Sequence, residues 1–269
     1  MIINYLKSLK IYSYLAITYY KFFTKVFGYG YERYKQHLIN NLLNKKNVNP
    51  ISYIDERIVE IPWIMEKLRN IDNLKILDAG CTLNYKYLIE KIIKNKNKIS
   101  FVNLYREKYS HPNDLVSYID SDISNLNIEN KSHNIVTCIS VLEHIGFDNQ
   151  MYNNHDQKLP NFIVNKELYI KAISEIHRVL TNEGVAYLSF PYGQKILFDN
   201  LQQFDENNII EMIKVFQPKS YTVHYYKYFN DEKRWKEVSA KDCKNSLPIY
   251  FDKKTALSAN SVALMVLNK

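Results

Sequence analysis

A chain of 269 residues, 46% hydrophobic and 24% charged, has the composition of a soluble globular protein and fits one large domain or a core domain with an appendage. Its net charge of +8 is unevenly placed: residues 1–50 hold eight Lys/Arg and one acid, Glu32, leaving 28 basic and 27 acidic residues in the remainder, which argues against a nucleic-acid groove across the molecule. The three cysteines, Cys81, Cys138 and Cys243, lie far apart without metal-ligand spacing, which argues against a zinc site and points to a reduced, cytoplasmic compartment.

Residues 1–27 carry a helical stripe of Ile2, Leu6, Leu9, Tyr12, Ala16, Tyr19, Phe23 and Val26, with Lys7, Lys10, Lys21 and Lys25 opposite. The uncharged stretch at 11–20 is about half the length that spans a bilayer, and no small-residue cleavage site follows. Two readings stay open: a helix on an anionic membrane surface, or one packed on the core or a partner subunit. Gly28 and Gly30 end it, a second helical region covers roughly 31–44, and "YIDERIVEIPWIMEKLRN" carries a third stripe interrupted at Pro62. Residues 1–70 are thus expected to form a helical extension or lid, and 71–269 the main domain.

From Leu74 the texture changes to short apolar runs alternating with amphipathic stretches. The pattern predicts strands at 75–79, 99–105, 116–119, 134–140 and 184–190, with helices at 84–95 and 165–180. That alternation is an open α/β sheet of parallel strands joined by helices. A helix near 205–216 follows, then strand-like runs "YTVHYYKYF" and "SVALMVL", which suit a late hairpin at the sheet edge.

Four of the six glycines punctuate this section: Gly80, Gly146, Gly184 and Gly193. In "ILDAGCTLN", Asp78 closes the first strand, placed to order the loop, to accept from a ligand cation or to cap a turn, and Gly80 ends it. In "YIDSDISNL", Asp122 beside Ile123 suits an adenine ring, although Asp and Ser also favour plain turns. In "NIVTCISVLEHIGFDN", a buried strand ends near Ile139, and Glu143 and His144 follow where ligands of open α/β sheets bind. A histidine there is a candidate proton acceptor and a glutamate its orienting partner; packing and capping are the structural alternatives. "EIHRVLTNEGVAYLSFPYG" brings Tyr192 to another carboxyl strand end.

In order and spacing, "ILDAGC", "SDI", "CISVLEHIG" and "EIHRVLTNEGVAYLSFPYG" resemble the class I S-adenosylmethionine-dependent methyltransferases over residues 74–193. The flanking "DERIVEIPWIMEKL", "LQQFDENNIIEMIKVF" and "YYKY" look like bacterial small-molecule methyltransferases associated with surface-glycan biosynthesis. The resemblance implies a Rossmann-like, seven-stranded α/β sheet with helices on both faces and the last strand antiparallel. It implies S-adenosylmethionine as cofactor, held by Asp78, Gly80, Cys81, Thr82, Asn103, Tyr105, Asp122, Ile123 and Ile139. Asn103 or Tyr105, or Glu107 beyond them, replaces the acid usual at the end of the second strand, and "CTLN" stands where further glycines are usual. His144 and Glu143 would be catalytic towards a small-molecule acceptor, a hydroxyl of a sugar or polysaccharide precursor, with N-methylation or a phosphate-type oxygen as alternatives. Arg57, Tyr192, Gln203 and Asp205 are candidate acceptor contacts under a lid of N-terminal helices and "LQQFDEN". A non-catalytic methyltransferase-like scaffold docking through the basic N-terminal helix is the rival of another class. A nicotinamide enzyme would need the G-x-G-x-x-G fingerprint, which is missing.

Overall fold

The computed structural model describes residues 32–46, 55–104, 109–147, 164–251 and 256–269. The chain divides into two compact units, Met1–Pro50 and Ile51–Lys269. Of the first, the described part holds one helix, α1 (32–43); the basic stripe of residues 1–27 lies outside the described residues. Among the described residues no helix is long and apolar enough to cross a membrane.

The second unit begins with α2 (Arg57–Lys67) and continues through β1 (Lys75–Ala79), α3 (Lys86–Ile93), β2 (Lys98–Asn103), β3 (Val116–Asp120), β4 (His133–Ile139), α4 (Leu168–Val179) and β5 (Leu180–Pro191). Two short strands, β6 (Ile196–Leu197) and β7 (Gln202–Gln203), form a separate ribbon before α5 (Glu206–Phe216). The chain ends with β8 (Ser220–Phe229), β9 (Arg234–Val238), α6 (Ala240–Cys243), β10 (Ile249–Phe251), β11 (Ala256–Ser258) and β12 (Ser261–Asn268). The division at 70/71 drawn from the sequence differs from this one: α2 lies in the sheet-bearing unit, tied to it through Glu56 and Glu60.

One eight-stranded sheet runs β3-β2-β1-β4-β5-β12-β8-β9. Its first five strands are parallel, and β12 is antiparallel to both β5 and β8. This is the Rossmann-like sheet with an antiparallel last strand that the resemblance implies, extended by one edge strand. The late runs do pair, but β12 lies inside the sheet, and the edge belongs to β9. The sequence "RWKEV" hides that strand because Arg234, Lys236 and Glu237 break its apolar alternation; charge is a common guard of an exposed edge.

Burial explains the pattern. Ile76, Leu77 and Ala79 of β1 are all fully buried, as befits a parallel strand covered on both faces. On β12, Ala263, Met265 and Leu267 join a core with Ile173, Ile176, Met212 and Phe216 of α4 and α5. Val262 and Leu264 point the other way, against Val59 and Trp63 of α2. Pro62 does not interrupt that helix. A mid-helix proline forfeits one backbone bond, and the flanking Ile61 and Ile64, both buried, anchor the helix across it. Arg178, the basic residue of "EIHRV", is a clamp: its guanidinium pairs with Glu175 and donates to the carbonyls of Leu126 and Ile128.

Candidate functional site

The carboxyl ends of β1 and β4 lie side by side, and the loops leaving them touch. At the exit of β1, Asp78 is fully buried. Its Oδ1 accepts from Thr137 Oγ1 at 2.6 Å and its Oδ2 from the Leu83 N–H at 2.8 Å. The carboxylate therefore folds the 80–83 loop back onto the two strands. Gly80 turns the chain at φ +108°, and a Cβ there would overlap the Val141 side chain of the β4 loop. Cys81 follows, also left-handed, at φ +60°. Thr82 Oγ1 donates to the Ile139 carbonyl at 2.9 Å, and Asn84 Oδ1 accepts from Tyr118 at 2.9 Å. Side-chain bonds thus hold a loop that extra glycines would leave to the backbone alone.

At the exit of β4, Ser140 adopts φ +46°, a conformation that costs a non-glycine residue on the order of 1–3 kcal/mol. Three hydrogen bonds enforce it. Its N–H donates to the Ser189 carbonyl at 2.9 Å and to Ser189 Oγ at 3.2 Å, and its hydroxyl donates to Glu60 Oε1 at 2.6 Å. Glu60 is fully buried, and its Oε2 accepts from Arg57 Nη1 at 2.7 Å. The same guanidinium nitrogen donates to the Ile139 carbonyl at 3.3 Å. Burial works against the Arg57 charge, but Glu60, Glu56, Glu143 and Asp55 outweigh it and hold the guanidinium pKa above its usual value.

Val141 leads into a 3-10 turn, Leu142–His144, that carries the two residues singled out for chemistry. Glu143 is 3% exposed, and its Oε2 has no hydrogen-bond partner among the described residues. Burial pushes its carboxyl well above the carboxylate range; Glu60 and Glu56 add to the rise, while its own backbone N–H and Arg57 oppose it. Glu56, half-buried, is raised to about 8 by burial and then by Asp55 and Glu60. Its Oε2 accepts from the Ala259 N–H at 3.2 Å. His144 Nδ1 lies 2.9 Å from the Asn200 carbonyl. A carbonyl only accepts, so Nδ1 carries the proton and Nε2 the lone pair. Burial lowers the imidazole pKa to about 4, aided by Arg57 and opposed by the Asn200 bond.

The fold therefore gathers Arg57, Asp78, Gly80, Cys81, Thr82, Ile139, Glu143 and His144 at two adjoining strand exits. Asn103 ends the neighbouring β2, its Oδ1 accepting from the Leu104 N–H; Tyr105 and Glu107 lie outside the described residues. Asp122 is exposed and forms an Asx turn with Ser124, while Ile123 is buried in the core. The other candidates stand at the β5 exit with structural work already assigned. Tyr192 is buried against Tyr225, ring centroids 4.7 Å apart, and its carbonyl accepts from Ser261 Oγ. Gln203 Nε2 bridges the carbonyls of Gln194 and Ser246. Asp205 caps α5 reciprocally with Asn208. The "LQQFDEN" region meets the site through Asn200, just before it.

Glu56, Glu60, Ser140 and Asn200 are the site residues that sequence pattern does not single out. Glu60 stands three residues after Arg57, the spacing of an ordinary surface pair; only burial against Ser140 sets it apart.

No protein-family model and no curated protein sequence matches the chain. A structure of Burkholderia thailandensis 1,6-didemethyltoxoflavin-N1-methyltransferase, with bound 1,6-didemethyltoxoflavin and S-adenosylhomocysteine, is similar over 78% of this chain and 78% of its own, at 12% identity and a TM-score of 0.46. A SAM-dependent methyltransferase from Archaeoglobus fulgidus is similar over 78% of this chain and 91% of its own, at 9% identity and a TM-score of 0.47. The ligands and reactions named are those of the two neighbours.

Proposed function

We propose that this chain is an S-adenosylmethionine-dependent methyltransferase acting on a small-molecule acceptor. One observation carries the reading: the loops of β1 and β4 meet at Gly80 and Val141, with Glu143 and His144 beside them at the carboxyl edge of a Rossmann-like sheet. The residues fit the cofactor. A side-chain-free backbone at Gly80 permits close approach, and an unpartnered buried carboxyl oxygen on Glu143 awaits a polar or charged group.

Gly80, Cys81, Thr82 and Ile139 would hold the methionine end, with Asp78 acting on the loop it clamps. Asn103 and Tyr105 would hold the ribose, and Asp122 with Ile123 the adenine. When bound, the cofactor supplies an activated methyl group. The protein aligns the acceptor with that group and removes a proton. His144 is the proposed base: its Nε2 carries the lone pair across neutral pH, with a proton affinity that burial lowers below that of a free imidazole.

The proposed acceptor is a hydroxyl, here of a sugar or surface-polysaccharide precursor, which must give up its proton to a base, whereas a neutral amine attacks through its own lone pair and needs less help. Arg57, Tyr192, Gln203 and Asp205 are the proposed acceptor contacts; Gln203 Oε1, buried and without a partner among the described residues, suits that role best. The basic N-terminal segment, residues 1–27, is the proposed contact with an anionic membrane or a protein partner. Calorimetry with S-adenosylmethionine tests the reading, expected to give micromolar binding. No binding at millimolar cofactor would overturn it in favour of the scaffold. Release of S-adenosylhomocysteine from a panel of nucleotide-sugars and small amines then identifies the acceptor class.

A further inference from the structure

Around Glu143 the acids outnumber the bases, and in the free protein retained protons make up the difference. Helix α2 presents Arg57, Glu60 and its N-cap residue Glu56 to it, β4 contributes the Cys138 thiol, and its own turn contributes His144, neutral at physiological pH. Among these groups one guanidinium faces three carboxyls. It is already engaged: Arg57 Nη1 bonds Glu60 and the Ile139 carbonyl. Glu60 accepts at Oε1 from Ser140 and at Oε2 from Arg57, and Glu56 accepts at Oε2 from the Ala259 N–H. Glu143 is the member left over, 3% exposed with Oε2 unpartnered.

A buried carboxyl oxygen without a partner costs on the order of 1–3 kcal/mol and persists where something compensates it. A cationic group can take the place of the proton that Glu143 retains, whereas an anion would only add to the surrounding acids. We infer that Glu143 Oε2 is the seat of a cationic group of the bound ligands. This rests on the methyltransferase reading and concerns the two positive groups that S-adenosylhomocysteine lacks, the sulfonium of S-adenosylmethionine or an ammonium on the acceptor; the α-ammonium, common to both cofactor forms, is not the group inferred. Seating either one leaves Glu143 ionised, so the proton that burial keeps on the free carboxyl is released to solvent. S-Adenosylhomocysteine, which has lost the sulfonium charge, gains nothing from this carboxylate, and the product is held less firmly than the substrate.

Calorimetry of both compounds, with wild type and Glu143→Gln, separates the sources. For the sulfonium, the preference for S-adenosylmethionine over S-adenosylhomocysteine falls about tenfold or more in the variant. Proton exchange, read by repeating the wild-type titration in buffers of different ionisation enthalpy, then shows release for the first compound only. For the ammonium, that preference is unchanged in the variant. Glucosamine and ethanolamine then bind the S-adenosylhomocysteine-loaded wild type better than glucose and ethylene glycol, and Glu143→Gln abolishes the difference.

A variant that responds in neither arm overturns the inference. If wild type binds neither cofactor form, the methyltransferase reading falls by itself, and the amine pairs, titrated against the bare protein, still decide the cation seat. Should Glu143→Gln fail to fold by circular dichroism, Glu143→Asp keeps the charge and is expected to retain the cation preference. The wild-type buffer comparison and the amine pairs decide between the same outcomes without any variant.

Discussion

The Ser140 hydroxyl donates to Glu60 Oε1 across 2.6 Å, joining the end of β4 to a helix 80 residues earlier in the chain. Through Glu60 this bond reaches Arg57, and through Arg57 it returns to the carbonyl of Ile139, the neighbour of Ser140. The circuit fixes a left-handed residue two positions before the turn that carries Glu143 and His144.

Ser140→Ala is expected to destabilise the fold by about 1–3 kcal/mol, because Glu60 Oε1 then stays buried without its donor. Ser140→Gly loses the same hydroxyl but relieves the φ of +46°, and should recover about 1 kcal/mol of that loss. Urea denaturation of the two variants measures the difference. Equal stability for both would remove backbone strain from the account.

Gly80→Ala places a Cβ on Val141 at a φ of +108°. The substitution should cost about 1–3 kcal/mol in stability and weaken S-adenosylmethionine binding tenfold or more. Adding Val141→Ala relieves the overlap but not the backbone conformation, so the double variant should regain only part of both losses. Chemical denaturation and cofactor titration read the two effects separately.

His144, lowered to about 4 in the folded protein against about 6.5 unfolded, takes up its proton more readily when the chain unfolds. Stability linked to it is present above pH 6.5 and is lost as pH falls towards 4. In His144→Ala that acid-side loss should shrink over this window. Turnover in the wild type should show no inflection near pH 6.5, and His144→Ala should lower turnover by about a hundredfold or more if it is the base.

Glu56 behaves in the opposite sense. Its carboxyl, raised to about 8, keeps its proton in the fold while the unfolded chain gives it up from about 4.5. The linked stability is present below pH 4.5 and is lost as pH rises through 8. Glu56→Gln keeps an oxygen for the Ala259 N–H and cannot ionise, so its melting temperature should fall less between pH 5 and 9 than that of the wild type.

Much of the fold was legible in local pattern. The strands at 75–79 and 116–120 and the helices around 86–93 and 206–216 follow from runs of apolar residues and from the 3.6-residue stripe, which depend only on neighbours in the chain. Strand β9 was not legible, because its identity lies in pairing with β8 and its side chains are those of an exposed edge. Helix α2 was readable as a helix but not as a wall of the site.

The sequence by itself determined the alternation of strands and helices, and it put Asp78, Gly80, Glu143 and His144 at strand exits, because turn chemistry is written in adjacent residues. Only the tertiary structure decided what those residues do. Asp205 and Asp78 are both acids beside a turn, yet one caps a helix and the other clamps a loop across two strands. Glu60 and Glu143 are both buried acids facing Arg57, yet one is fully bonded and the other keeps an unpartnered oxygen. Burial and partner geometry set a carboxyl's charge and its free valence, and both arise from residues tens of positions away that meet only once the sheet has closed.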